Sequence, residues 1–212
     1  YKRKYFADKA FVDYGIWGLS LGDLNLQELR GMKDHGAVGI KFFWGYAIKK
    51  DTHALVYNYT PGEEGVIPPL DDGEVYKIFE TIAANGSILA IHAENSELIS
   101  MLTKRVRESG RDDYAALLEA RPDLAEGLTV QTAIAFSKAT GAHLHVLHIT
   151  SRMGVDMVRR AQKDGVPVTA ETCTHYLFLS DKDYDKIGPG MKVYPPIKHE
   201  TDRLALWEGL MD

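Results

Sequence analysis

The 212-residue sequence lacks the features that mark several large protein classes. Cys173 is its single cysteine, so no disulfide can form within the chain, and we expect a reducing, cytoplasmic location. No apolar run approaches the ~18 residues that a membrane-spanning helix needs, and no signal peptide opens the chain. The 25 basic and 30 acidic residues give a net charge of −5 without a basic patch, which argues against nucleic acid as a partner.

Helical and extended patterns alternate along the chain with short connections. Strands are predicted near 11–18, 37–43, 87–94, 142–149 and 166–173, with a further one near 191, and helices over 24–36, 71–86, 129–141, 151–165 and 199–210. Apolar strands that follow helices are typical of a parallel sheet covered by helices. An open doubly wound sheet and a (β/α)8 TIM barrel both fit, and the absence of a phosphate-binding glycine loop favours the barrel. The Pro- and Gly-rich residues 46–70 are predicted to form a loop or lid.

Three of these strands end on a side chain suited to metal chemistry. Lys41, His92 and His148 each follow small or aliphatic residues at two-residue spacing, so each should finish a face that points into the barrel. The carboxyl ends of parallel strands form one rim, and we expect the three side chains to converge there. The same alternation predicts that His143 and His145 lie on the opposite, helix-facing side of their strand.

Lys41 is hard to reconcile with a buried strand, because burying an unpaired ammonium group is costly. Its side chain can extend to solvent or pair with a carboxylate. It can also lose its proton and take up carbon dioxide, which gives an anionic carbamate able to bridge two divalent metal ions. The isolated residue does not decide among these alternatives.

The ordered set of segments resembles the hydantoinase, dihydropyrimidinase, allantoinase and dihydroorotase branch of the amidohydrolase superfamily. GIKFFWGY resembles the segment of the carboxylated, metal-bridging lysine, and IHAEN and VLHITS resemble two segments that each carry an imidazole ligand. ETCTHYLFL and VYPPIK resemble two further family stretches, the second of which lines the substrate. The resemblance covers most of the chain from about residue 11, and the separation of His92 from His148 matches the hydantoinase side of the branch.

The resemblance implies a metal-dependent hydrolase that opens a small cyclic amide, in a parent protein that is a homo-oligomer, often a tetramer in relatives. Lys41, His92 and His148 would be ligands of two divalent metal ions, expected to be zinc, with carboxylated Lys41 as the bridge. Tyr46 matches a tyrosine that holds the oxyanion, with a buried core tyrosine as the alternative. Tyr194 would contact the substrate where relatives carry a small or amide residue.

Other residues expected from the resemblance are missing. The His-x-His pair of the first barrel strand and the catalytic aspartate of the last have no counterpart, and the sequence has no initiator Met. We therefore expect residues 1–212 to be a fragment of one barrel domain, covering about strands three to seven, and to be inactive in isolation. His175 is expected to have either a supporting or a purely structural role. A non-enzymatic structural or signalling homologue is the alternative function, and loss of a metal ligand would be expected in it.

Overall fold

The computed structural model describes residues 2–57, 59 and 61–212. The strands are β1 (Ile16–Leu19), β2 (Ala37–Phe43), β3 (Ala47–Lys49), β4 (Leu55–Val56), β5 (Val66–Ile67), β6 (Ile88–His92), β7 (His143–Val146) and β8 (Val168–Ala170). The α-helices are α1 (Lys2–Phe6), α2 (Leu26–Met32), α3 (Asp72–Asn85), α4 (Ser96–Glu108), α5 (Tyr114–Ala120), α6 (Asp123–Thr140), α7 (Arg152–Lys163), α8 (Thr174–Phe178), α9 (Tyr184–Ile187) and α10 (Glu200–Leu210).

The main sheet contains five parallel strands in the order β1-β2-β6-β7-β8. Each strand lies beside the preceding strand of this sheet, and right-handed connections therefore place the intervening helices on one face. The large core lies between that face and the helices, and residues of β2, β6 and β7 are fully buried in it. The predicted α/β fold with a parallel sheet is confirmed, and within the described residues the sheet is open.

Helix α3 shows how the sequence sets an element and its buried face. Asp71 accepts a hydrogen bond from the backbone of Glu74, whose side chain accepts one from the backbone of Asp71, so the first turn is capped. The helix ends at Gly86, which has the left-handed φ of 62° that glycine adopts without strain. The side chains at helical spacing on the sheet side are fully buried: Val75, Ile78, Phe79 and Ile82.

The segment 46–70, predicted to be a loop or lid, contains three short antiparallel strands in the order β4-β3-β5. Ile48 pairs with Ile67, and both side chains are buried. The excursion between β2 and α3 therefore has a small sheet of its own. The further strand predicted near 191 is wrong, because Gly188–Met191 form a 3-10 helix.

No helix in the described part of the chain is both long enough and apolar enough to cross a membrane.

Candidate active site

Two histidines meet at the carboxyl ends of β6 and β7. Nδ1 of His92 lies 3.1 Å from Nε2 of His148, and the ring centroids are 4.8 Å apart in an edge-on arrangement. His92 is buried, and the buried Nδ1 of His148 has no hydrogen-bond partner among the described residues. The pair therefore includes an imidazole nitrogen that is available to a ligand.

Burial keeps both imidazoles uncharged near neutral pH. It lowers the pKa of His148 to about 3, and the neighbouring His92 and Lys41 act in the same direction. Burial also lowers the pKa of His92, although the hydrogen bond to Glu94 opposes the shift. The neutral imidazole is the form that binds a metal ion.

The two faces of β7 are oriented opposite to the prediction. Leu144 and Val146 are fully buried in the helix-side core, whereas His143 and His145 are half-buried on the other face. In the parallel register His145 occupies the same row as Lys41, two strands away. The prediction that His143 and His145 face the helices was therefore wrong, because the aliphatic residues of this strand pack against the helices.

A backbone turn brings His148 to its neighbour. Strand β7 ends at Val146, and His148 has a φ of 38°, which is uncommon for a residue other than glycine. Two-residue alternation does not continue through this turn. The predicted meeting of His148 with His92 is confirmed, but the strand phase from which it was derived was wrong.

Lys41 lies in β2, partly buried, and forms no salt bridge with any carboxylate of the described residues. Its Nζ lies 4.5 Å from the centroid of the Phe43 ring. Burial lowers the pKa of Lys41 to about 8, and the charge of Glu171 partly opposes that shift. The ammonium group also contributes to the lowered pKa of both His92 and His148, so the three groups lie within electrostatic reach of one another. A structural ion pair does not account for this lysine.

Tyr46 lies directly beside the histidine pair. Its ring is edge-on to that of His92 with centroids 5.0 Å apart, and its hydroxyl is 3.4 Å from Oε2 of Glu94. Burial raises the pKa of Tyr46 to about 12, so the hydroxyl remains a hydrogen-bond donor at neutral pH. The position is compatible with the predicted contact to substrate.

A buried ion pair that the sequence did not predict supports one side of the site. Oε2 of Glu94 accepts hydrogen bonds from Nη1 of Arg121 at 2.6 Å and from Nε2 of His92 at 3.0 Å. Burial alone would raise the pKa of Glu94, but the His92 hydrogen bond and the Arg121 charge outweigh it and lower the pKa. Glu94 lies two residues beyond the end of β6, and Arg121 is 27 residues further along the chain, so strand alternation predicted neither contact.

The two remaining predicted residues lie at different distances from this network. The Arg121 guanidinium stacks 4.0 Å from the centroid of the Tyr194 ring, which places Tyr194 at the edge of the site. His175 packs on Tyr176 with ring centroids 4.1 Å apart, and its Nε2 has no hydrogen-bond partner among the described residues. The structure thus brings Tyr194 to the network and gives His175 no polar contact with it.

The described residues contain no group of three or more His, Cys, Asp or Glu side chains arranged to hold a metal ion.

Known proteins are similar to this chain over nearly its full length. It is 34% identical over 209 residues to an L-hydantoinase from Paenarthrobacter aurescens, a match that covers 99% of this chain and 42% of the relative. An allantoinase from Deinococcus radiodurans is 30% identical over 210 residues, with 99% of this chain and 43% of the relative covered. The chain is homologous to the hydantoinase and allantoinase branch of the amidohydrolases. No protein-family model matches it.

The solved structures of this branch agree with the sequence comparison. The L-hydantoinase (dihydropyrimidinase) from Arthrobacter aurescens gives a TM-score of 0.84 at 34% identity, with 99% of this chain and 43% of the other covered. The resemblance predicted from the sequence is confirmed. The chain spans about two fifths of the length of the hydantoinase and allantoinase relatives that it matches.

Proposed function

We propose that the chain carries part of the active site of a cyclic amidohydrolase, which opens a hydantoin, dihydropyrimidine or allantoin ring by hydrolysis. The observation that carries the proposal is the meeting of neutral His92 and His148 within electrostatic reach of Lys41, a lysine without a carboxylate partner. The names of the similar proteins, L-hydantoinase and allantoinase, support the reaction class.

The proposal includes a finer fold assignment. The whole chain would belong to one (β/α)8 barrel domain and supply about strands three to seven. The consecutive strand order supports it, because a doubly wound sheet would reverse direction at a switch point, and the five strands do not.

The side chains fit a pair of divalent metal ions. His148 has a buried, unpartnered Nδ1, and zinc accepts nitrogen ligands of this kind. Because the pKa of Lys41 is lowered to about 8, a larger fraction of its side chain is the neutral amine near neutral pH. The amine nitrogen would bond to the carbon of carbon dioxide and release a proton, leaving a carbamate with two oxygens for two metal ions. Lys41, His92 and His148 are therefore the residues that would hold the metals.

When bound, two zinc ions would supply Lewis-acid chemistry, polarising the ring carbonyl and lowering the pKa of water to ~7. The Tyr46 hydroxyl is a protonated donor and would bind the oxygen that becomes negative when the amide carbon is attacked. Glu94 contacts both His92 and Tyr46 and would hold them in place. The ring of Tyr194 would lie against the substrate.

The alternative, a non-enzymatic homologue, is less well supported. Such a protein would be expected to have replaced Lys41, His92 or His148, and all three are present. We continue to expect that the parent protein is a cytoplasmic homo-oligomer whose substrate is a small cyclic amide.

The test uses the full-length protein that its gene encodes. Hydantoins, dihydropyrimidines and allantoin are offered separately, and ring opening is followed before chelation, after chelation and after zinc is restored. We expect hydrolysis of at least one ring class, lost on chelation and recovered with zinc. A zinc-loaded protein that opens none of these rings would refute the proposal.

A further inference from the structure

A buried carboxylate beneath the turn after His148 has no part in the chemistry proposed above. Glu126 lies in α6 and is 2% exposed. Its Oε2 accepts hydrogen bonds from the backbone N and the Oγ1 of Thr150, at 2.9 and 2.7 Å. Its Oε1 accepts from the backbone N and the Oγ of Ser151, at 3.1 and 2.5 Å. One carboxylate thus binds four donors, two and three residues after His148.

Burial of the Glu126 carboxylate is energetically unfavourable and is offset by its partners. Burial raises the pKa of Glu126, and the charge of Lys198 and the hydrogen bonds from Ser151 and Thr150 oppose that shift. A buried carboxylate is tolerated only where its hydrogen bonds are satisfied. Gly154 leaves room for the group, since a Cβ there would lie 2.6 Å from Oε1 of Glu126.

The turn that Glu126 holds is the one that orients His148. A left-handed φ at a residue other than glycine persists only where the surroundings hold it. On the β8 side, the Ile149 carbonyl accepts a hydrogen bond from Oγ1 of Thr172 at 2.7 Å. On the α6 side, Glu126 binds Thr150 and Ser151, the two residues after Ile149. The turn is therefore held from both sides immediately after His148.

We propose that Glu126 is a positioning residue: by fixing residues 150–151 it holds His148 in the conformation that directs the imidazole toward His92. The inference rests on the proposed function to the extent that His148 binds a metal ion. It concerns a residue whose hydrogen bonds go to Thr150 and Ser151 and not to Lys41, His92 or His148.

Glu126→Gln in the full-length protein is the first test. An amide has one acceptor atom in place of two, so the donors of Thr150 or of Ser151 lose their partner. We expect zinc affinity to fall about 10–100-fold, as for other groups that orient a metal ligand. In the metal-free protein we expect the backbone amide NMR signals of residues 147–151 to shift.

A matched control separates positioning from general stability. Ser137 lies in the same helix, is fully buried and donates a hydrogen bond to the carbonyl of Ala142 at 2.7 Å. Ser137→Ala removes a buried hydrogen bond at the other end of β7. It should lower the melting temperature and leave both zinc affinity and the 147–151 signals unchanged.

Gly154→Ala tests the positioning role of Glu126 without changing Glu126 itself. Alanine is the better helix former, so helix propensity alone predicts a more stable α7. The added Cβ would displace the Glu126 carboxylate, and we expect weaker zinc binding even where the melting temperature does not fall.

The outcomes separate the two proposals. If unsubstituted protein binds zinc and Glu126→Gln binds it equally well with unchanged 147–151 signals, the positioning role is wrong. If unsubstituted protein binds no zinc, the proposed function fails, and the signals of the metal-free protein alone decide the positioning role. If Glu126→Gln does not fold, two variants of Thr150 replace it. Thr150→Val removes one hydrogen-bond donor to Glu126 and should weaken zinc binding, whereas Thr150→Ser retains the hydroxyl and should not. Equal zinc affinities of these two variants would overturn the inference.

Discussion

The imidazoles of His92 and His148 meet at 3.1 Å although 56 residues separate them in the chain. The contact exists because β6 and β7 are neighbouring parallel strands and because the backbone turns at His148. Lys41 approaches the same end of the sheet from β2, the strand on the other side of β6. This relationship places two uncharged imidazoles near the partly buried side chain of Lys41.

Acid should destabilise the metal-free protein through His148. The pKa of this residue is about 3 in the folded protein and 6.5 in the unfolded chain, so below pH 6.5 the unfolded chain binds more protons. Its contribution to stability is complete above pH 6.5 and is lost as the pH falls toward 3. We expect His148 to lower the free energy of unfolding by about 2 kcal/mol between pH 8 and pH 5.

Urea unfolding at the two pH values, compared with His148→Asn, isolates this contribution. The difference between pH 8 and pH 5 should be smaller in the variant by that amount. Identical pH dependence in the two proteins would mean that the imidazole of His148 is not held neutral.

The faces of β7 can be tested by a pair of truncations. Leu144 is fully buried, so Leu144→Ala should lower the free energy of unfolding by about 2–5 kcal/mol. His143 is half-buried on the other face, and His143→Ala should cost about 1 kcal/mol or less. Equal losses in denaturant unfolding, or a larger loss for His143→Ala, would reverse the assignment of the faces.

The buried ion pair beside His92 should show strong coupling. Arg121→Met leaves Glu94 charged and without its guanidinium partner, which should lower the free energy of unfolding by about 3–5 kcal/mol. Adding Glu94→Gln removes the uncompensated charge and should recover a large part of that loss. A double-mutant cycle on urea unfolding measures the coupling. Strictly additive effects of the two substitutions would contradict the ion pair.

The phase of β2 could be predicted because its two faces differ sharply. In β2 the large residues Ile40 and Phe42 alternate with Gly39 and Lys41, and only one assignment buries the large ones. The strand β7 was different, because histidine and aliphatic residues alternate and the pattern was extended through His148, two residues past the strand end. Alternation carries no information once the strand has ended.

Other features could not be predicted because they depend on distant partners. Glu94 and Arg121 are 27 residues apart and form their pair only when α4 and α5 have packed. Glu126 likewise acquires its role from Thr150 and Ser151, beyond the next strand. The strands of the 46–70 segment have two or three residues each, too few for a period to show in the sequence.

The central claim is that Lys41 holds two metal ions as a carbamate, and zinc content together with turnover in two Lys41 variants of the full-length protein tests it most directly. Lys41→Ala should lose zinc and activity, and acetate or propionate should restore part of both by supplying bridging oxygens. Lys41→Arg should remain empty and inactive with or without the added acid, because a guanidinium stays cationic and fills the space. Full zinc content and a near-normal rate in Lys41→Arg would contradict the account.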